Sequence, residues 1–272
     1  MTDNDFFTDG PAFADETTNT GDGLLRVNWH NGDVKQKTPG AFFVEDDRLE
    51  RSGYDAPGKP WAQTQRTFND GSSKSGYGTP GAKIAVIGWR QQDAVCNTEG
   101  RVERFLTGRT PKAERPNGWT CVVEVLCLMD GFGMQPVVWR SNRIKSSMAF
   151  LLNIVPTYDD AIFKDAKAAA KAAGRQVYRW SFWMPIRGAK TPDGAPVFEK
   201  TQGQPVTPPT LILPDGKTGR DLWSALYTGA EIVKRGIELR TEWDAWFSQP
   251  IGGGQQQAQP AGRNVPQPVD GV

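Results

Sequence analysis

Histidine and cysteine are nearly missing from this 272-residue chain, which has one His, His30, and three Cys, Cys96, Cys121 and Cys127. A single histidine excludes metal motifs that need two. It also makes any Ser-His-Asp arrangement rest on His30, which sits at a strand end beside Asn31-Gly32 and reads as a turn residue. Three Cys and one His are a zinc set by count only. Cys121 and Cys127 lie in one extended segment, Thr120 to Met129. Six residues of strand hold their backbones about 20 Å apart, too far for a shared metal or a disulfide. The thiols therefore read as buried and free, as in a reducing cytoplasm. Long apolar runs are also absent. None approaches the ~18 residues of a membrane helix, and the first residues are acidic and polar, unlike a signal peptide.

Other catalytic patterns fail on spacing. Gly216-Lys217-Thr218 would need a glycine five residues before Gly216 to make a phosphate loop, and position 211 is Leu. Asp46-Asp47 reads as strand neighbours facing opposite sides, and Asp159-Asp160 as the acidic start of a helix. Asp193 with Glu199-Lys200 has the wrong spacing for a metal-dependent nuclease. The expectation is a protein that is not an enzyme and carries no cofactor.

What the chain does have is glycine, proline, tryptophan and segregated charge. Gly 30 and Pro 20, with hydrophobic residues at 38 % and a mean hydropathy of −0.54, point to a loop-rich, mostly β (α+β) fold. Ten tryptophans are a clear excess. The net charge of +1 hides six acids and no base in residues 1–22, against 31 Lys and Arg and 24 Asp and Glu in residues 23–247. The body therefore carries +7 and attracts polyanions more than the whole-chain value implies. Residues 1–22 read as a disordered acidic arm, 23–247 as a single domain, and 248–272 as a disordered Gly/Gln/Pro-rich tail.

Within the domain, strands are expected at Leu24–Trp29, Gly40–Val44, Lys83–Arg90, Trp119–Met129 and Gln135–Arg140, the last two forming a hairpin around Asp130-Gly-Phe-Gly133. Residues 51–82 read as a long loop, and Thr98–Gly118 as a charged loop or hairpin arm. Helices are expected at Ser146–Ile154, Tyr158–Ala173 and, longest, Gly219–Phe247, with Leu222, Leu226, Val233 and Ile237 on one packing stripe.

The strongest functional signal runs from Ala166 to Pro192. It holds Lys167, Lys171, Arg175, Arg179, Arg187 and Lys190 and no acid, around Tyr178-Arg179-Trp180-Ser181-Phe182-Trp183. Cations follow a phosphate backbone, and aromatic rings stack on unpaired bases of any identity. Read as a strand over 176–186, alternation puts Tyr178, Trp180, Phe182 and Met184 in the core and Arg179 and Trp183 together on the ligand face. The candidate nucleic-acid-binding set is Arg179, Trp183, Arg187 and Lys190; Trp139, Arg140, Arg143 and Lys145 after another strand; Trp61, Arg66 and Lys74 in the 51–82 segment; and Arg90.

The order of parts carries a resemblance. A short strand and Gly40-Ala-Phe-Phe lead to Lys83-Ile-Ala-Val-Ile-Gly-Trp89, Pro116-Asn-Gly-Trp119, Val122–Leu128, Pro136-Val-Val-Trp139, a helical insertion, the basic-aromatic segment, Ala195-Pro-Val-Phe198 and a Gly/Gln/Pro tail. Over residues 24–213 this resembles phage-encoded single-stranded-DNA-binding proteins with an OB-fold. The resemblance implies a five-stranded barrel with an inserted helix and a long C-terminal helix. It implies sequence-independent binding of single-stranded DNA during phage replication or recombination, in the host cytoplasm. Replication or recombination proteins would be met through the termini; homo-oligomerisation stays open, and no membrane partner is implied. The chain ends Pro-Val-Asp-Gly-Val, without the acidic, Phe-terminated tip of bacterial-type binders. The residues leave two other readings open: a structural or assembly protein of a phage particle, and a carbohydrate-binding β-sandwich, which the basic body disfavours.

Overall fold

The computed structural model describes residues 22–30, 32, 37–67, 73–97, 102–141, 144–201 and 204–251. Twelve strands occur among them: β1 (Leu25–His30), β2 (Ala41–Glu45), β3 (Ala62–Thr67), β4 (Ser73–Thr79), β5 (Gly81–Cys96), β6 (Val102–Phe105), β7 (Trp119–Met129), β8 (Pro136–Ser141), β9 (Met184–Gly188), β10 (Glu199–Thr201), β11 (Gln204–Val206) and β12 (Pro209–Leu211). Ten form one sheet in the order β12-β9-β5-β7-β8-β1-β2-β4-β3, with β6 also on β5; β10 and β11 pair separately. The pairings are antiparallel except β1 with β8. The fold is therefore mixed α/β around a large open sheet, twice the expected five strands.

Four helical segments accompany it: α1 (Asp46–Ser52), α2 (residues 144–172), α3 (Gly219–Leu226) and α4 (Ala230–Glu242). Among the described residues no helix is long and apolar enough to cross a membrane.

The sheet is buried on both sides at its centre, which explains why β7 reads as an almost unbroken apolar run. On the inner side, Leu25, Val27, Phe42, Ile84, Val86, Val123, Val125 and Trp139 pack against Phe150, Ile154, Tyr158 and Ile162 of α2 and Leu222 and Leu226 of α3. On the outer side, Ala85, Ile87, Leu126, Leu128 and Val138 meet Trp180, Leu239 and Trp246. All three cysteines are free and buried. Burial pushes the Cys121 thiol up to about 11 and the Cys127 thiol up to about 12, so neither is a nucleophile at neutral pH.

Several sequence expectations are corrected here. Residues 51–82 are not one loop: β3 and β4 lie inside them. Gly76, which made the segment look loop-like, is a packing glycine. A Cβ there would lie 2.2 Å from the Val44 carbonyl oxygen and 2.8 Å from the Phe43 ring. Asp46-Asp47 opens helix α1, where acids suit the dipole. Asp159-Asp160 instead lies inside α2, because the chain is already helical from Ile144, with two π turns at Ala149–Ile154 and Asp159–Phe163.

The expected C-terminal helix is broken. Gly229 at φ 94° ends the intervening turn, Thr228 N–H donates to the Ser181 carbonyl, and Tyr227 bridges to Phe182. Leu222 and Leu226 consequently face the inner core, whereas Ile237 is 42 % exposed. Residues 176–186 are not a continuous strand either. A 3-10 turn at Arg179–Ser181 interrupts it, with the Ser181 hydroxyl accepting from Tyr178 N–H.

Candidate nucleic-acid interface

β5 pairs with β9 through residues 81–84 and with β6 through residues 94–96. The opposite edge is covered by β7 over almost its whole length. Between β9 and β6 one edge of β5 therefore has no strand partner among the described residues. A cleft of about 490 Å³ lies there, lined by Trp89 to Asp93, Gly108, Arg109 and Phe247 to Pro250.

The ligand-like chemistry sits at this edge. The register shift between Val86 and Gly88 resets the alternation, so Trp89 turns to the inner side while Arg90 turns outward. Trp89 is half-buried, with its ring edge-on to Phe150 at 5.7 Å. The Arg179 guanidinium lies 5.1 Å from the Trp89 ring and 5.0 Å from the Phe163 ring. Asp159 holds it with contacts of 2.7 and 2.8 Å. Tyr158 O–H donates to the Arg179 carbonyl at 2.6 Å, fixing the turn that carries the guanidinium. On the other flank, Arg109 is exposed at the cleft wall beside Phe247, whose ring carries Arg240 at 4.0 Å. β6 and its connection to β7 add exposed Arg104 and Lys112, and Arg115 lies 3.6 Å over the ring of Trp119, the first residue of β7.

The sequence-named residues disperse. Arg179 lies against the Trp89 ring, outside the cleft lining, and is separated from Trp183, which packs half-buried in the outer cluster. The turn at Arg179–Ser181 breaks the alternation that would have paired them. Arg187 and Lys190 are exposed, on β9 and just beyond it. Trp139 is 1 % exposed and belongs to the inner core. Trp61 is buried on the β7–β8 turn, donating to the Asp130 carbonyl at 2.8 Å. Arg66 is 2 % exposed, and Lys74 pairs with Glu45 at 2.7 Å. Arg143 and the side chain of Lys145 lie outside the described residues.

Arg90 and Arg140 are buried around Glu124, a correction to their reading as ligand contacts. The register places Arg90, Glu124 and Arg140 side by side on β5, β7 and β8. Arg90 binds the Glu124 carboxylate at 2.6 and 2.9 Å, Arg26 approaches it at 3.4 Å and Arg140 at 3.7 Å. Burial raises the Glu124 carboxyl, but the Arg140, Arg26 and Arg90 charges outweigh it and hold it below its ordinary value. Arg90 also donates to the Trp246 carbonyl at 3.2 Å and lies 4.1 Å under its ring. Arg90 thus clamps the C-terminal segment to the sheet.

Sequence reasoning missed Trp89, Arg109 and Phe247. Trp89 is visible only if the register shift is known. Phe247 arrives from the far end of the chain and leaves no local signal. The chain matches no family model, no curated protein and no solved structure.

Proposed function

We propose that this chain binds single-stranded DNA without sequence preference, in phage DNA replication or recombination, and that the cleft on the free edge of β5 is where bases and phosphates are held. The observation carrying this reading is that the half-buried Trp89 ring, on the stretch of β5 without a strand partner among the described residues, has the Arg179 guanidinium 5.1 Å away and shares its cleft lining with Arg109. Rings stack on any base, and guanidiniums attract any phosphate, so such a track reads no sequence. The +7 body supplies the long-range attraction.

An OB-like reading of the sheet is supported by strand continuity. Pro80 alone separates β4 from β5, so one bent strand pairs with β2 through its first half and with β7 through its second. Following β7, β8, β1 and β2 from there leads back to the same strand, a five-member circuit within the larger sheet.

The test is a fluorescence titration of the full chain with oligo-dT at low and high salt, with the same oligonucleotide annealed into a duplex as control. Quenching by the single strand, weak response to the duplex, and a log–log salt slope of about −0.7 per phosphate contact support the reading. Equal quenching by both forms, or a flat salt response, refutes it.

A further inference from the structure

We propose that the nucleic-acid track continues from the cleft along α2, with Lys167, Lys171 and Arg175 holding the phosphates beyond the base at Trp89. The inference rests on the single-strand reading above and extends its site.

The link is Phe163. It belongs to α2, and its ring lies 5.0 Å from the same Arg179 guanidinium that reaches Trp89. Ile162 and Ala166 bury one side of this helix, while Lys167 and Lys171 are exposed. At about 100° per residue, Phe163, Lys167 and Lys171 follow one flank next to that buried stripe. Lys164 is engaged by Asp160, and Asp165 projects from the opposite flank. Arg175 follows directly, where Gly174 at φ 65° ends the helix and Arg175 N–H donates to the Ala170 carbonyl.

The path has a length. From Gln91 to Trp89 is about 7 Å of strand. Two ring–cation steps of 5.1 and 5.0 Å lead to Phe163, and the helix adds about 12 Å to Lys171. Laid end to end these steps come to at most about 30 Å, room for at most about eight nucleotides at stacked spacing and fewer in an extended strand. A cleft alone would hold only a fragment of that.

The experiment titrates full-length protein with oligo-dT of about 4 and about 12 nucleotides, for the parent chain and for Lys167→Ala/Lys171→Ala/Arg175→Ala. The parent is expected to bind the long oligonucleotide at least about tenfold tighter than the short one. The triple variant should lose about tenfold on the long one, with its salt slope reduced by about 2, and stay within about twofold of the parent on the short one. Lys171→Glu alone, at an exposed position, should weaken the long complex in the same direction. A triple variant that matches the parent in long-oligonucleotide affinity and salt slope overturns the extended track and leaves the cleft reading standing. A parent chain that binds neither oligonucleotide overturns both.

Discussion

Replacing Glu124 by Gln should be among the most damaging single changes in the chain, although it alters one atom. Glu124 is fully buried, and its carboxylate is shared by Arg90, Arg26 and Arg140, all 10 % exposed or less. The amide keeps the shape but supplies no charge, and its NH₂ faces guanidinium donors. Leaving buried cations uncompensated costs about 3–5 kcal/mol. At about 2–4 °C per kcal/mol for a domain of this size, the melting temperature should fall by about 6–20 °C. The pH dependence gives the argument its sign. The folded Glu124 carboxyl lies below its ordinary value of 4.5. Its contribution is therefore complete above that pH and is lost as pH falls through the folded value. The gap between parent and Glu124→Gln should be widest at neutral pH and should narrow below about 4.5. Urea denaturation followed by tryptophan emission measures this, since Trp246 rides on Arg90 and should redden as the C-terminal segment loosens. A loss under about 1 kcal/mol, or a gap that stays constant from neutral to acid pH, would refute the reasoning.

Trp139→Ala should destabilise by about 3–5 kcal/mol as a core deletion, measured by urea denaturation, with oligo-dT affinity of the folded protein unchanged. Arg179→Ala should weaken oligo-dT binding and lower the salt slope by about 0.7, whereas Arg90→Ala should act on stability; equal binding losses in both would contradict the assigned faces. Gly236→Ala should destabilise by about 1–3 kcal/mol through overpacking, because the new Cβ would stand 2.2 Å from the Trp180 ring, and a thermal melt reads this. Burial pushes the Asp130 carboxyl up to about 6. The folded state thus takes up a proton before the unfolded chain does, and stability from this group rises as pH falls from about 6 toward its ordinary 3.8. Asp130→Asn should flatten that rise in urea titrations between neutral pH and about pH 5.

The readability of this sequence tracked how local each cause was. β1, β2, β5, β7 and β8 were legible because apolar alternation and the Asp130–Gly133 turn are local signals, and each of these five expected strands lies within the observed one, give or take one residue. β3 and β4 were not, because Gly76 and Gly78 look like loop residues until the Phe43 ring that requires Gly76 is known. The basic-aromatic segment was half legible. Trp180, Phe182 and Met184 are buried, but not on the one face that alternation required: Trp180 packs in the outer cluster with Tyr178 and Trp183, and Phe182 and Met184 in the inner one, because the Ser181 hydroxyl closes a turn that also sends Arg179 and Trp183 apart. Arg90 and Arg140 were misassigned for one reason: cations beside tryptophans look like ligand contacts when the acid they neutralise, Glu124, sits alone in an apolar strand.

The clamp on the C-terminal segment also has a history in time. Trp246 Nε1 donates to Asp22 across 224 residues of chain, and Ile251 N–H donates to Gln92 across 159. While the protein is being synthesised, Arg90, Glu124 and Arg140 emerge long before the segment that roofs them. Contacts this distant in sequence slow folding, so the roof over the charged row is among the last parts of the fold to close.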